Sequence, residues 1–273
     1  MPKPGSASSL VGAIAFLAIA CSGCDQLPKR LVHLAALPDL SASIEPRAEA
    51  DVLTAMSNAF KAMRRGDSVA VIPITADADN DDQGHVLRWQ LPATRQPFDG
   101  DLLHVAKEER SELRELLDST QKRPYRWTDI LGALHLAQQE LSDDPPTTLK
   151  AIVILSDFIE DDPQYHFAKD RRLSNEESAR RFALSLSQSS KGLTGIKVYF
   201  GGLASRDLRK LPKERREAIR TFWETFLIAQ GAEVEWATDG PGRLEEFLRH
   251  LREDGTQEMA DRSFSISTGT AEN

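Results

Sequence analysis

"LVHLAALPDLSASI", residues 31–44, decides how the rest of the chain is read. Residues 31–37 are apolar over a strand-sized length, lack helical spacing, and stop at Pro38 and Asp39. Such a run reads as a strand buried on both faces, the kind found in parallel sheets. Ser41 and Ser43 then follow Asp39 at two-residue steps. Asp and Ser at a strand end suit turns and helix caps. They also supply hard oxygens to a divalent cation. The choice depends on what else the chain brings to the same place.

Working outward, apolar residues at helical spacing (Leu53, Met56, Phe60, Met63) predict a helix over 46–65, ended by Gly66. "DSVAVIPITA" (67–76) reads as a second strand, and "HVLRWQL" (85–91) as a short antiparallel edge strand beside it. Helices are expected over 101–119 and over 128–141, the latter opened by Thr128. "LKAIVILSD" (149–157) is the most hydrophobic strand and belongs at the centre. A helix over 174–190, a strand over 196–203, a helix over 211–230, a strand over 232–237 and a helix over 241–252 follow. This alternation predicts an α/β fold: a three-layer α/β/α, Rossmann-like sandwich around a mostly parallel six-stranded sheet with one short antiparallel edge strand. In such sheets ligands collect at the carboxyl ends of strands, where Asp39 and Asp157 both stand.

The ends of the chain read differently. Residues 10–20, "LVGAIAFLAIA", are apolar, uncharged and preceded by Lys3. At about 1.5 Å per helical residue the run is too short for a hydrocarbon core of about 30 Å, and it fits a secretory h-region. With "LAIACSGC" (17–24) it resembles a bacterial lipoprotein signal. That resemblance implies a signal peptide over 1–20, a lipid on Cys21 (Cys24 being the alternative), a short linker over 21–30, and a lipid-anchored place in the cell envelope, periplasmic or at the cell surface. The alternative is a plain cleaved signal or a disordered hydrophobic N-terminus. Residues 253–273 are polar and expected to be disordered.

Composition narrows the function. The chain of 273 residues carries a net charge of −8 and is 28% charged. An acidic balance argues against a nucleic-acid binder, which needs a basic face to offset phosphates. Both cysteines lie at or before residue 24, so the 31–252 segment has neither a disulfide nor a thiolate metal site. The six histidines show no paired ligand spacing such as HExxH.

Three pieces share one predicted edge of the sheet: Asp39-Leu40-Ser41-Ala42-Ser43, Thr128, and Ser156-Asp157. Together they resemble the von Willebrand factor A (VWA) domain and its metal-ion-dependent adhesion site, in which Asp-x-Ser-x-Ser follows the first strand, a Thr comes from a later loop and an Asp follows the fourth strand. The resemblance covers residues 31–252 in element order and fills all five positions. It implies a metal site of Asp39, Ser41, Ser43, Thr128 and Asp157 holding Mg2+ or Mn2+. Hydroxyls would bind directly, and the two acids mainly through water or hydrogen bonds. A cation held largely by neutral groups stays electrophilic, so a protein partner's Asp or Glu carboxylate would complete it. A surface position is expected for the site.

Other stretches compete. "DADNDDQGHVLR" (77–88) starts like an EF-hand loop, but Asp82 stands where Gly is needed and Arg88 where the bidentate Glu belongs. It reads as a solvated hairpin turn. In "FIEDDPQYHFAKDRRLSN" (158–175), Tyr165, His166 and Phe167 are candidate partner contacts or a surface excursion packed on its own aromatics. Arg123, Tyr125, Arg126 and Trp127 are further candidates, Trp127 equally a core residue. A haloacid-dehalogenase-like phosphatase would resemble Asp-x-Asp after the first strand. Here the second acid is Ser41, which cannot serve as a general acid at neutral pH. The chain is therefore read as a binding module and not an enzyme. The alternatives are a scaffold with a vestigial metal site and, behind it, a phosphatase-like hydrolase.

Overall fold

The computed structural model describes residues 30–75, 86–93, 107–108, 110–116, 118, 127–188, 192–237 and 243–253. Six strands, β1 (Val32–Pro38), β2 (Ser68–Val71), β3 (Leu87–Gln90), β4 (Leu149–Ser156), β5 (Ile196–Gly202) and β6 (Glu233–Ala237), form one sheet in the order β3-β2-β1-β4-β5-β6. All neighbours are parallel except β2 and β3, which pair antiparallel at the edge. This is the α/β architecture expected from the sequence, with β4 beside β1 at the centre of the sheet. The lipoprotein-like segment, the acidic turn over 77–84, residues 121–126 and the tail beyond 253 lie outside the described residues.

The pleat explains why β1 and β4 are apolar on both faces apart from His33, Lys150 and Ser156 near their ends. Successive strand residues point to opposite faces. Leu34 and Ala36, with Val153 and Leu155, pack toward Val52 and Met56 of helix Pro46–Ala62 and toward Phe247 of helix 244–253. Ala35 and Leu37, with Ile152 and Ile154, pack toward helices Ile130–Ser142, Glu176–Ser187 and Lys213–Ala229. Every residue of β1 is buried, and each fully buried Leu or Ile contributes about 1.5–3 kcal/mol relative to exposure.

Local signals fix the helix ends. Pro46 opens the first helix, where its missing N–H costs nothing, and the helix stops at Ala62 rather than residue 65. Gly66, at φ 85°, then turns the chain into β2. Thr128 does not cap the next helix. Asp129 does, accepting from the Gly132 N–H at 2.7 Å. The helix expected over 211–230 begins only at Lys213; a separate helical turn, Arg206–Lys210, precedes it.

Connectivity places the site. From β1 the chain passes through helix 46–62 on one face to β2, whereas from β4 it passes through helix 176–187 on the other face to β5. Two adjacent parallel strands thus hand the chain to opposite layers, which opens a crevice beyond their carboxyl ends.

Candidate metal centre

Asp39 leaves β1 hydrogen-bonded to its neighbour, its N–H donating to the Leu155 carbonyl at 2.8 Å. Its side chain turns down into the seam. Oδ1 accepts from the Ser41 N–H at 2.9 Å and Oδ2 from the Ser156 hydroxyl at 2.6 Å. The Ser41 and Ser43 hydroxyls lie 3.0 Å apart, and Ser43 donates to Asp157 Oδ2 at 3.3 Å. Asp157 Oδ1 accepts from the Ile159 N–H at 3.0 Å, and the Ser205 hydroxyl also reaches this carboxylate. One continuous chain of contacts therefore runs Ser156–Asp39–Ser41–Ser43–Asp157–Ser205.

Thr128 joins from a third segment. Its N–H and carbonyl pair with those of Asp161 at 2.7 and 2.9 Å, which fastens the start of helix 130–142 to the loop after β4. Ser41, Ser43, Thr128 and Asp157 line one cavity of about 350 Å3, rimmed by Arg206 and Lys210. Asp39 lies beneath it, 1% exposed, and Thr128 and Asp157 are buried too, so these three are not surface groups as the sequence suggested.

The 206–210 turn pins the loop that carries Ser43. Ile44 bridges to Ser205, the Arg206 N–H donates to the Ser43 carbonyl at 3.3 Å, and the Arg206 guanidinium donates to the Ala42 carbonyl at 3.0 Å. Arg209 pairs with Glu45 on the outside. Ser205 reads in the sequence only as a local helix cap, and the turn's hold on the Ser43 loop comes from contacts about 160 residues away in the chain.

Electrostatics set the two acids apart from ordinary carboxylates. Burial raises Asp39, against the pull of its Ser156 and Ser41 hydrogen bonds. Burial, then the charge of Asp39, pushes Asp157 up to about 7. Among the described residues, the hydrogen bonds to both come from neutral hydroxyls and backbone N–H groups. Two buried acids beside three converging hydroxyls, with a cavity above them, form a donor set that fits a small hard cation.

Other candidates divide. Phe167 is fully buried, its ring 4.7 Å from that of Phe222, and so belongs to the core rather than to a partner contact. Tyr165 is half-buried against Phe182. His166 is exposed and pairs with Asp161 at 2.6 Å, and half-buried Trp127 tilts against its ring at 5.7 Å. The long loop after β4 thus packs its aromatics not on one another but on helices Glu176–Ser187 and Lys213–Ala229. Among the described residues no helix is long and apolar enough to cross a membrane.

No family model and no curated protein matches the sequence. Solved structures similar to it include BatB of Bacteroides thetaiotaomicron, at 14% identity and a TM-score of 0.44, covering 84% of this chain and 99% of that one. A von Willebrand factor type A protein of Catenulispora acidiphila is similar at 17% identity and a TM-score of 0.41; the match covers 83% of this chain but only 43% of that protein's length. The manganese-loaded TRAP protein of Plasmodium vivax is similar at 15% identity and a TM-score of 0.37, covering 72% and 74% of the two chains. At these identities the likeness is one of fold, a six-stranded, mostly parallel sheet between helical layers.

Proposed function

We propose that the chain is an exported, lipid-anchored, VWA-like binding module of the cell envelope that docks a protein partner through a divalent cation. The observation that carries this reading is the convergence of Ser41, Ser43, Thr128 and Asp157 on one cavity with Asp39 beneath. Ser41, Ser43 and Thr128 would hold Mg2+ or Mn2+ by their hydroxyls, with Asp39 and Asp157 orienting them. Bound there, the cation supplies an electrophile for a partner's Asp or Glu carboxylate. The rim carries Arg206 and Lys210 beside Asp161 and Asp207, with Lys210 paired to Asp207 at 2.7 Å, so the attraction for an acidic side chain would come from the cation itself. The chain's own groups do the positioning: Ser156 and Ser205 fix the two acids, and the 206–210 turn fixes the loop that carries Ser43. Ser41 stands where a phosphatase-like Asp-x-Asp would need its second acid, which supports a binding role rather than catalysis.

Calorimetry with Mg2+ and Mn2+ tests the site. Wild type is expected to bind one ion at the cavity, and Ser43→Ala and Asp39→Ala to bind it more weakly. Ser43 is half-buried, so its variant separates ligation from folding. Equal binding by wild type and both variants would leave a scaffold with a vestigial site. A pull-down in Mg2+ against chelator tests the partner, and Cys21→Ser, with Cys24→Ser as control, tests the anchor through loss of lipid labelling.

A further inference from the structure

Beyond the cavity, a second set of acids meets on the other side of the Thr128–Asp161 bridge. Glu160 is fully buried, and its Oε2 accepts from the N–H groups of Ile130 at 3.1 Å and Leu131 at 3.2 Å. Asp129 caps the same helix, and Asp162 accepts from the Gln164 and Tyr165 N–H groups, each at 2.6 Å. Each carboxylate is therefore held by backbone donors through one oxygen. One ligand atom from each of the three lies within 4.8 Å of the others.

A cluster of acids alone is an ordinary surface feature. This one differs in Glu160, whose Oε1 is buried without a hydrogen-bond partner. Leaving such an atom unsatisfied costs roughly 1–3 kcal/mol, more for a charged group. The groups that bear on the Glu160 charge most strongly are the acids Asp129 and Asp162, and Asp162 stands within hydrogen-bonding reach of it. Two carboxylates have no hydrogen to share between them, so the arrangement needs either a bound cation or a trapped proton.

We propose that Asp129, Glu160 and Asp162 form a second cation site, selective for Ca2+, beside the hydroxyl-lined cavity. Oxygens that all lie within 4.8 Å of one another can reach a single cation at the roughly 2.3–2.6 Å of a Ca2+ bond. Three carboxylates also give the high negative charge that suits Ca2+, whereas the neighbouring cavity offers mostly hydroxyls. The site draws its ligands from the residue after Thr128 and from the loop after Asp157. An ion there tightens the Thr128–Asp161 bridge that positions Thr128.

The test is equilibrium dialysis of the full chain with Ca2+ alone, comparing wild type, Ser43→Ala, Glu160→Gln and Asp162→Asn. Wild type and Ser43→Ala are expected to hold a Ca2+ ion that Glu160→Gln and Asp162→Asn bind at least about tenfold more weakly. Asp162 is half-buried, so its variant keeps the test open should Glu160→Gln fail to fold. Absence of Ca2+ binding by Ser43→Ala, or binding unchanged in folded Glu160→Gln and Asp162→Asn, overturns the proposal and leaves a proton shared within the cluster. Failure of Mg2+ binding at the first cavity does not affect this outcome, because Ser43 takes no part in it.

Discussion

Ser156 reaches across the seam between β1 and β4 to donate its hydroxyl to Asp39 Oδ2 at 2.6 Å, and the same hydroxyl oxygen accepts the N–H of Phe158 at 3.0 Å. One hydroxyl thus orients the acid after β1 and the backbone that aims the acid after β4. Ser156→Ala takes this donor away from a buried carboxylate oxygen. We expect a loss of about 1–3 kcal/mol in urea unfolding, together with weaker Mg2+ binding. Ser156→Ala matching wild type in both would show that the seam does not depend on this bond.

Stability in chelator should fall as pH rises. Asp157 ionises at 3.8 when free but near 7 in the folded chain. Below the free value both states are protonated and the contribution is fully present. Between the two values the folded state holds the extra proton, so stability declines, and the contribution is gone once pH has passed about 7. Added Mg2+ should therefore raise the melting temperature more at pH 8 than at pH 5. A flat profile in chelator, or equal Mg2+ effects at both pH values, would contradict this.

The far end of the sheet carries a buried ion pair. Asp67, just before β2, accepts from the Val32 N–H at 2.9 Å and from the Arg252 guanidinium of the last helix. Asp67→Ala takes from the buried Arg252 guanidinium the carboxylate that pairs with it. We expect a loss of about 3–5 kcal/mol by chemical denaturation. A loss below about 1 kcal/mol would mean that Arg252 moves to solvent without cost.

Phe167 and His166 are neighbours with opposite roles. Phe167→Ala should cost about 3–5 kcal/mol through the cavity it leaves among Phe182, Phe222 and Trp223. His166→Ala should stay within about 0.5 kcal/mol. Thermal melts of the two variants are sufficient to compare them.

The fold was legible because its decisive signals are local. Largely apolar runs marked β1 and β4, alternation marked β3, and helical spacing marked the helix after β1. Asp39 and Asp157 were legible together because strand ends at a change of layer converge, whereas Thr128, at a helix start, joined them through the resemblance to the VWA pattern. Ser205, the 206–210 turn and the Glu160 cluster were not. Each acquires its role only from a partner on another segment: Ser43 for Arg206, Ile130 and Leu131 for Glu160. Asp129 did carry a capping signal, but the preceding Thr128 offered the same one.

Phe158 follows Asp157 at φ 66°, in the left-handed region that costs a non-glycine residue about 1–2 kcal/mol. It is held there by its ring against Phe200 at 4.9 Å and by Trp223, whose indole N–H donates to its carbonyl at 2.9 Å. The residue that aims Asp157 is thus tethered to an indole on the opposite helical layer. A ligand that shifts Asp157 should therefore alter the surroundings of that indole, readable without a label as an emission change that Trp223→Phe removes while the other three tryptophans remain.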